Sequence, residues 1–317
     1  MENIVQGQWF RGPSADLGEP IEQSLRFTGS QLLESSFFGS SNTFGSNWSI
    51  SFWVKFAGPI DTTRQIIATG LRTAGGNYTI LALNNSVQGQ LDTSSGATEF
   101  TFNGRKFRDP NAWYHILMTN SEFYINGEAQ SATSGYWSNF DGCDKFGFSN
   151  WGGTPNSKAT MYLAEFHLLQ TTLTPTDFGK TNVDGVWVPI STSFTAAQYG
   201  ANGAHLTFDS SQTNADIGED SAPIGASGHT ARNDFTASGF DTAAISSSNP
   251  HNDIDIKDTP TNNWTTLNRL NATTGATLTG GNLFYGQSSN SQGASASQEL
   301  RSGKWYFEVQ KSANHNP

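Results

Sequence analysis

Cysteine is all but missing: Cys143 is the only one in 317 residues, so no disulfide can form within the chain. Charge is scarce too, at 14% of residues, and basic charge scarcest, with 17 Lys plus Arg against 27 Asp plus Glu. The resulting net charge of -10 repels a phosphate backbone, so nucleic acid is not an expected partner. No run of about 18 apolar residues occurs, which removes a membrane-spanning helix. The opening Met1-Glu2-Asn3-Ile4-Val5 has no basic segment followed by an apolar stretch, so no secretory signal is expected there. Catalytic punctuation is equally sparse. The nearest approach to a nucleophile elbow is Gly225-Ala226-Ser227-Gly228-His229, which lacks the Gly-x-Ser-x-Gly form. No glycine-rich loop ends in Lys-Ser/Thr to cradle a phosphate. The six histidines (His115, His167, His205, His229, His251 and His315) form no His-x-His or His-x-x-x-His pair, so local spacing points to no zinc site. His115 and His167 fall inside predicted strands, where an ordinary hydrogen-bonded histidine is the simpler reading.

What is abundant is glycine, at 33, and aromatic residues, at 12% with 22 Phe and 9 Trp. Aromatic and β-branched residues broken by Gly, Ser, Thr and Asn describe many short strands joined by turns. The length suggests about two domains, at roughly 150 residues each. Ser49 to Phe56 is the clearest strand: Ile50, Phe52, Val54 and Phe56 share one face, and Ser51, Trp53 and Lys55 lie on the other, expected to be partly wet. Leu25 to Thr28, Ile66 to Thr69, Tyr78 to Leu83, Glu99 to Asn103, Trp113 to Met118, Lys145 to Ser149 and Thr160 to Leu169 are further strands. Phe123-Tyr124-Ile125-Asn126-Gly127-Glu128 is a strand entering an Asn-Gly hairpin turn. Eight or more closely spaced strands predict an all-β fold, an antiparallel β-sandwich of jelly-roll type. No repeat of 20 to 50 residues is visible, so neither a solenoid nor a propeller is expected.

Four segments follow from the pattern. Residues 1–23, with Gly7, Gly12, Pro13, Gly18 and Pro20, read as an N-terminal arm, and residues 24–190 hold the jelly roll. Residues 191–257 turn polar and read as a connector, with one short strand at Leu206 and Phe208. Residues 258–317 begin a second, incomplete β-module, with strands at Leu278 to Phe284 and Lys304 to Val309.

Several segments, taken in order, resemble the laminin-G-like or concanavalin A-like jelly rolls of bacteriophage (marine, cyanophage-type) virion proteins. They are Leu25-Arg26-Phe27-Thr28-Gly29-Ser30, Trp48-Ser49-Ile50-Ser51-Phe52-Trp53-Val54-Lys55 and Phe107-Arg108-Asp109-Pro110-Asn111-Ala112-Trp113-Tyr114-His115-Ile116. Phe123 to Glu128, Tyr162-Leu163-Ala164-Glu165-Phe166 and Leu173-Thr174-Pro175-Thr176-Asp177-Phe178-Gly179 complete the set. Asp258-Thr259-Pro260-Thr261-Asn262-Asn263-Trp264 and Ser302-Gly303-Lys304-Trp305-Tyr306-Phe307-Glu308-Val309 resemble the entry into a SPRY-like sandwich. The resemblance implies a non-enzymatic virion component, a tail or head fibre or adhesin, made in the host cytoplasm. Its implied partners are other virion proteins and copies of itself.

Two alternatives stay open at the level of sequence. The first is a carbohydrate-binding module for host recognition. The loop with Tyr136, Trp137, Phe140, Asp141 and Trp151 offers apolar faces beside polar groups, as a sugar ring needs; packing or a subunit contact would use the same aromatics. The second is a jelly-roll glucanase, whose strand-borne carboxylates Asp253, Asp255 and Asp258 would imitate. They lie beyond the predicted jelly roll, and alternation puts Asp258 on the opposite face from the other two, so a solvated acidic turn is the plainer reading and no catalytic residue is assigned. Laminin-G-like domains often bind calcium, and the resemblance makes Asp141, Asp144 and Glu165 its candidate ligands.

Overall fold

The computed structural model describes residues 18–35, 47–58, 65–71, 78–83, 88–93, 100–107, 109–130, 145–148, 159–209, 216–243, 252–254, 256–287 and 291–299. Two seven-stranded antiparallel sheets face one another. The first runs β1 (Leu25–Thr28), β12 (Thr160–Leu169), β3 (Ser49–Phe56), β8 (Trp113–Thr119), β9 (Phe123–Ile125) and β10 (Glu128–Ala129), and β15 (Ala204–Leu206) also pairs with β12. The second runs β16 (Phe235–Ser238), β2 (Leu32–Ser35), β11 (Lys145–Phe148), β4 (Gln65–Leu71), β5 (Tyr78–Leu83), β6 (Gln88–Thr93) and β7 (Phe100–Lys106). Two hairpins lie outside the sheets, β13 (Gly179–Thr181) with β14 (Trp187–Pro189) and β17 (Thr277–Thr279) with β18 (Phe284–Gly286). Among the described residues there is one short α-helix, Ala196–Tyr199, and no helix long and apolar enough to cross a membrane. The expected all-β antiparallel sandwich is the fold observed.

Period-two alternation builds the core between the sheets. Ile50, Phe52, Val54 and Phe56 of β3 point inward, beside Ile116 and Met118 of β8 and Leu163, Phe166 and Leu168 of β12. They meet Leu33, Ile67 and Phe148 of the opposite sheet. Phe148 packs edge-on against both Phe52 and Phe166, at ring separations of 5.4 and 5.1 Å, the geometry that aromatic quadrupoles favour. At the β9–β10 hairpin, Asn126 and Gly127 both adopt positive φ, 50° and 77°, as the two central residues of a right-twisting turn require.

The other face of the first sheet departs from expectation. It was expected to be partly wet, yet every residue of β3 is buried, Lys55 and Ser51 included. The reason is that chain from before β1 and from after β12 lies on it. Ile21 and Ile256 pack with Trp53, Trp113, Tyr162 and Ala164 in one apolar patch, and Phe178 and Tyr199 pack with Leu117 and Leu169 in another. The polar stretch after residue 190 thus supplies β15 to the first sheet, β16 to the second, and Phe208, Ile217, Phe240 and Ile254 to the core between them.

Two buried ion pairs fasten this cover. Lys55 Nζ donates to Asp258 Oδ2, Asn263 Oδ1 and the Trp264 carbonyl, each at 2.8 Å, so all three of its protons are used. Asp258 Oδ1 accepts from Trp113 Nε1 and the Trp264 amide, both at 3.1 Å. Arg26 Nε donates to Asp253 Oδ1 at 3.1 Å, and Gln31 Nε2 and the Asp241 amide donate to Asp253 Oδ2 at 2.7 and 2.9 Å. At Gly281 (φ 71°) the cover comes so close to Tyr162 that a Cβ would collide with the phenol oxygen, which donates to the Gly281 carbonyl at 2.8 Å.

His115 is fully buried on this face, its Nε2 2.9 Å from Ser51 Oγ. Burial, aided by the nearby His167, pushes its pKa down to about 3. The native ring is therefore neutral, whereas the unfolded chain takes up a proton below about pH 6.5, the usual histidine value. Protons then favour the unfolded state, and stability falls as pH drops from about 6.5 toward 3, by about 1.4 kcal/mol per pH unit for this residue. Urea unfolding across that range is expected to show the slope, and His115→Gln to flatten it by that amount; an unchanged slope would assign the acid sensitivity elsewhere.

Candidate functional site

Between the two covered patches lies a cavity of about 230 Å³, and three donor side chains converge on it. Their convergence begins with a fault in β12. Ala164 pairs with Trp53 and His167 with Ser51, so Glu165 and Phe166 together oppose the single residue Phe52. Such a β-bulge re-aims the residues after it. Here Phe166 keeps to the inner core, while Glu165 and His167 both reach the cavity side. Glu165 has φ 48°, a left-handed conformation that glycine usually supplies at a bulge and a side chain enters at a cost.

β1 and β15 share the edge of β12 that β3 does not use, β1 along Thr160–Leu163 and β15 beyond the bulge. In that register His205 sits directly opposite His167. The imidazoles stack with centroids 4.1 Å apart and planes 16° from parallel. Glu165 Oε1 lies 2.7 Å from His205 Nε2 and 3.2 Å from His167 Nε2. The His205 contact is a hydrogen bond, but His167 Nε2 is out of line for one and has no hydrogen-bond partner despite being buried. His167 Nδ1 is 2.9 Å from the Tyr199 hydroxyl.

The support behind the cluster is polar and tight. The His205 amide donates to Asp220 Oδ1 at 2.9 Å, and the same carboxylate accepts from the amides of Ala222 and Asn233, also at 2.9 Å. Asp220 is fully buried, with His229 Nε2 at 2.7 Å. Burial pushes the pKa of His167 down to about 4, with the neighbouring His205 adding to the effect and Glu165 opposing it. For Glu165, burial alone would raise the pKa, but the two imidazoles outweigh it and hold the carboxyl well below the usual range. Burial likewise raises the Tyr199 phenol, and the carboxylates of Glu165 and Asp220 reinforce this.

Residues 30–177 match the family model of the concanavalin A-like lectin/glucanases superfamily. Over that stretch, a little under half of the chain, the sandwich is similar to the domains of that superfamily. No curated protein sequence matches the chain. Among solved structures, a candidate carbohydrate-binding protein from Bacteroides ovatus is 15% identical, with a TM-score of 0.42 over 68% of this chain and 58% of its own. A Trypanosoma rangeli sialidase, solved in complex with 2,3-difluoro-KDN, is 14% identical, with a TM-score of 0.33 over 41% of this chain and 22% of its own. The chain thus spans less than two thirds of either protein.

The matched segment is shorter than the folded sandwich, since β1, β15 and β16 lie outside it. Of the residues singled out from sequence, Tyr136, Trp137, Phe140, Asp141, Asp144, Trp151 and Asp255 fall outside the described residues. Glu165, read there as a calcium ligand with Asp141 and Asp144, stands beside two histidines. Asp253 and Asp258, read as a solvated acidic turn, are buried and paired with Arg26 and Lys55. The sequence reading missed His205 as a partner of His167, because the two are neighbours only through strand pairing. The one local trace was Glu165-x-His167, ambiguous without the bulge that turns both toward one side.

Proposed function

We propose that the chain is a non-enzymatic structural protein of a bacteriophage virion, a tail or head fibre or adhesin component that displays its lectin-like domain. The observation that carries this reading is the covered face of the first sheet. A catalytic cleft needs a face open to substrate and carboxylates free to exchange protons. Here chain from outside the sheet covers most of the face, leaving a cavity of about 230 Å³, and Asp253 and Asp258 are committed to buried cations. Such fastening suits a rigid display unit. The phage assignment draws its support from the ordered segments between Leu25 and Gly179 quoted above.

The test is gold-labelled antibody against the chain, applied to purified particles of the phage whose genome encodes it. Label at a fixed place on head or tail is the expected result. Particles that carry no label, with the chain left as free protein, would overturn the assignment. A second reading, glycan binding, is favoured by the match to a superfamily of lectins and glucanases. It expects measurable affinity on a glycan array that falls at least tenfold in Trp137→Ala or Trp151→Ala, and an array without signal would remove it.

A further inference from the structure

We propose that Glu165, His167 and His205 bind a divalent transition-metal ion of the zinc class, which fastens β15 to the bulge of β12. Among the described residues this is the one place where three such donors converge, all within 4.8 Å of one another. Zinc takes nitrogen and oxygen ligands at about 2.0–2.2 Å, so donors around a tetrahedral ion stand roughly 3.3 Å apart. Glu165 Oε1 already stands 2.7 and 3.2 Å from the two Nε2 atoms. Two of the three donor separations are thus already close to those around such an ion, and the imidazoles need only turn toward it.

Four further observations point the same way. First, His167 Nε2 is buried, lacks a hydrogen-bond partner and lies 3.2 Å from the carboxylate; a bond to a metal would satisfy it. Second, the other nitrogen of that ring is engaged by the Tyr199 hydroxyl, as a ligating histidine commonly has its far nitrogen held. Third, the register sets His205 opposite His167, and the buried Asp220 fixes the amide of His205. Fourth, a glutamate stands in a left-handed conformation at the bulge, where glycine would fit without strain.

The donor set selects the ion. Calcium and magnesium prefer all-oxygen ligands, whereas imidazole favours zinc, cobalt, nickel and copper. Three protein ligands leave a fourth tetrahedral position on the cavity side, near Ser51 and Trp53, where a water can complete the shell. The net charge of -10 favours a dication in general and selects nothing.

Cobalt(II) titration of chelator-stripped protein, read by visible absorption, tests the proposal. One equivalent is expected to give the intense bands of tetrahedral cobalt, zinc to abolish them, and a hundredfold excess of calcium to leave them intact. Glu165→Gln and His205→Gln are each expected to weaken binding at least tenfold while keeping the near-ultraviolet circular dichroism of the wild type. Tyr199→Phe, which touches no metal, is expected to weaken it less while the bands stay tetrahedral. Absence of the bands in the wild type, or bands that persist in both ligand variants, would overturn the site. Should a ligand variant fail to fold, zinc calorimetry on the wild type decides: one saturable site supports the proposal and none defeats it.

Discussion

Shortening the chain to residues 24–190, the segment that reads from sequence as the whole jelly roll, is expected to abolish cooperative folding. The shortened chain would lose Leu206, Phe208, Ile217, Phe235, Phe240 and Ile254 from the core between the sheets. Burying each such side chain contributes about 1.5–3 kcal/mol, so the loss is on the order of 10 kcal/mol. That equals the roughly 5–15 kcal/mol by which a typical domain is stable at all. Two further penalties follow. Without β16 the edge of β2 is bare, a template for aggregation. Without residues 252–264, Arg26 and Lys55 keep their charges and lose Asp253 and Asp258. Expression of the shortened chain beside the full one, followed by urea unfolding on tryptophan fluorescence, checks this. A soluble product with a sigmoidal transition would mean that the later chain is a separable attachment.

Asp258→Ala is expected to cost about 3–5 kcal/mol, the usual penalty for leaving a buried charge without its partner. The carboxylate serves Lys55, Trp113 and Trp264 at once, so nothing nearby replaces it. Burial lowers the pKa of Lys55, and Asp258 is the main group that opposes this. In the variant, folding therefore expels a proton that the unfolded chain keeps until about pH 10.4. Its stability should rise with pH toward that value, and the wild type's should rise much less. Lys55→Met alone should be comparably harmful, since it buries an unpaired carboxylate. The double change Lys55→Met with Asp258→Ala removes both charges and is expected to recover a large part of the summed loss. Urea midpoints at pH 7 and pH 9 for the four proteins settle the matter. A double variant no better than the sum of its singles would show that the ion pair is not the cause.

The fold was legible wherever local chemistry decides structure. Ile50, Phe52, Val54 and Phe56 alternate as a half-buried strand must, and Asn126-Gly127 sits in the turn that those two residues favour. What local chemistry leaves open was missed. β6, with the sequence Gln-Gly-Gln-Leu-Asp-Thr, has one apolar side chain and becomes a strand by pairing with β5 and β7. Lys55 looks like a solvent-facing strand residue because its partner is 203 positions away. The Glu165 cluster depends on a bulge and a strand pairing, neither of which leaves a periodic mark. Long-range partners, more than composition, set the limit of the reading.

The distances along the chain between the two ends of the cover have a consequence for synthesis. The Ile21 amide bonds to Thr261 Oγ1 across 240 positions, Ser24 Oγ to the Asp258 carbonyl across 234, and Arg26 to Asp253 across 227. At about 5–20 residues per second, a ribosome takes roughly 10–50 s to go from the first member of such a pair to the second. Throughout that interval β1 and β3 have been made but their outer face cannot close, so Trp53 and Lys55 wait beside an unfinished surface. Contacts of such long range also slow the search for the native arrangement once the chain is free. The interval is when a holding chaperone would engage the nascent chain, and the domain cannot close until residues 253–261 have been made.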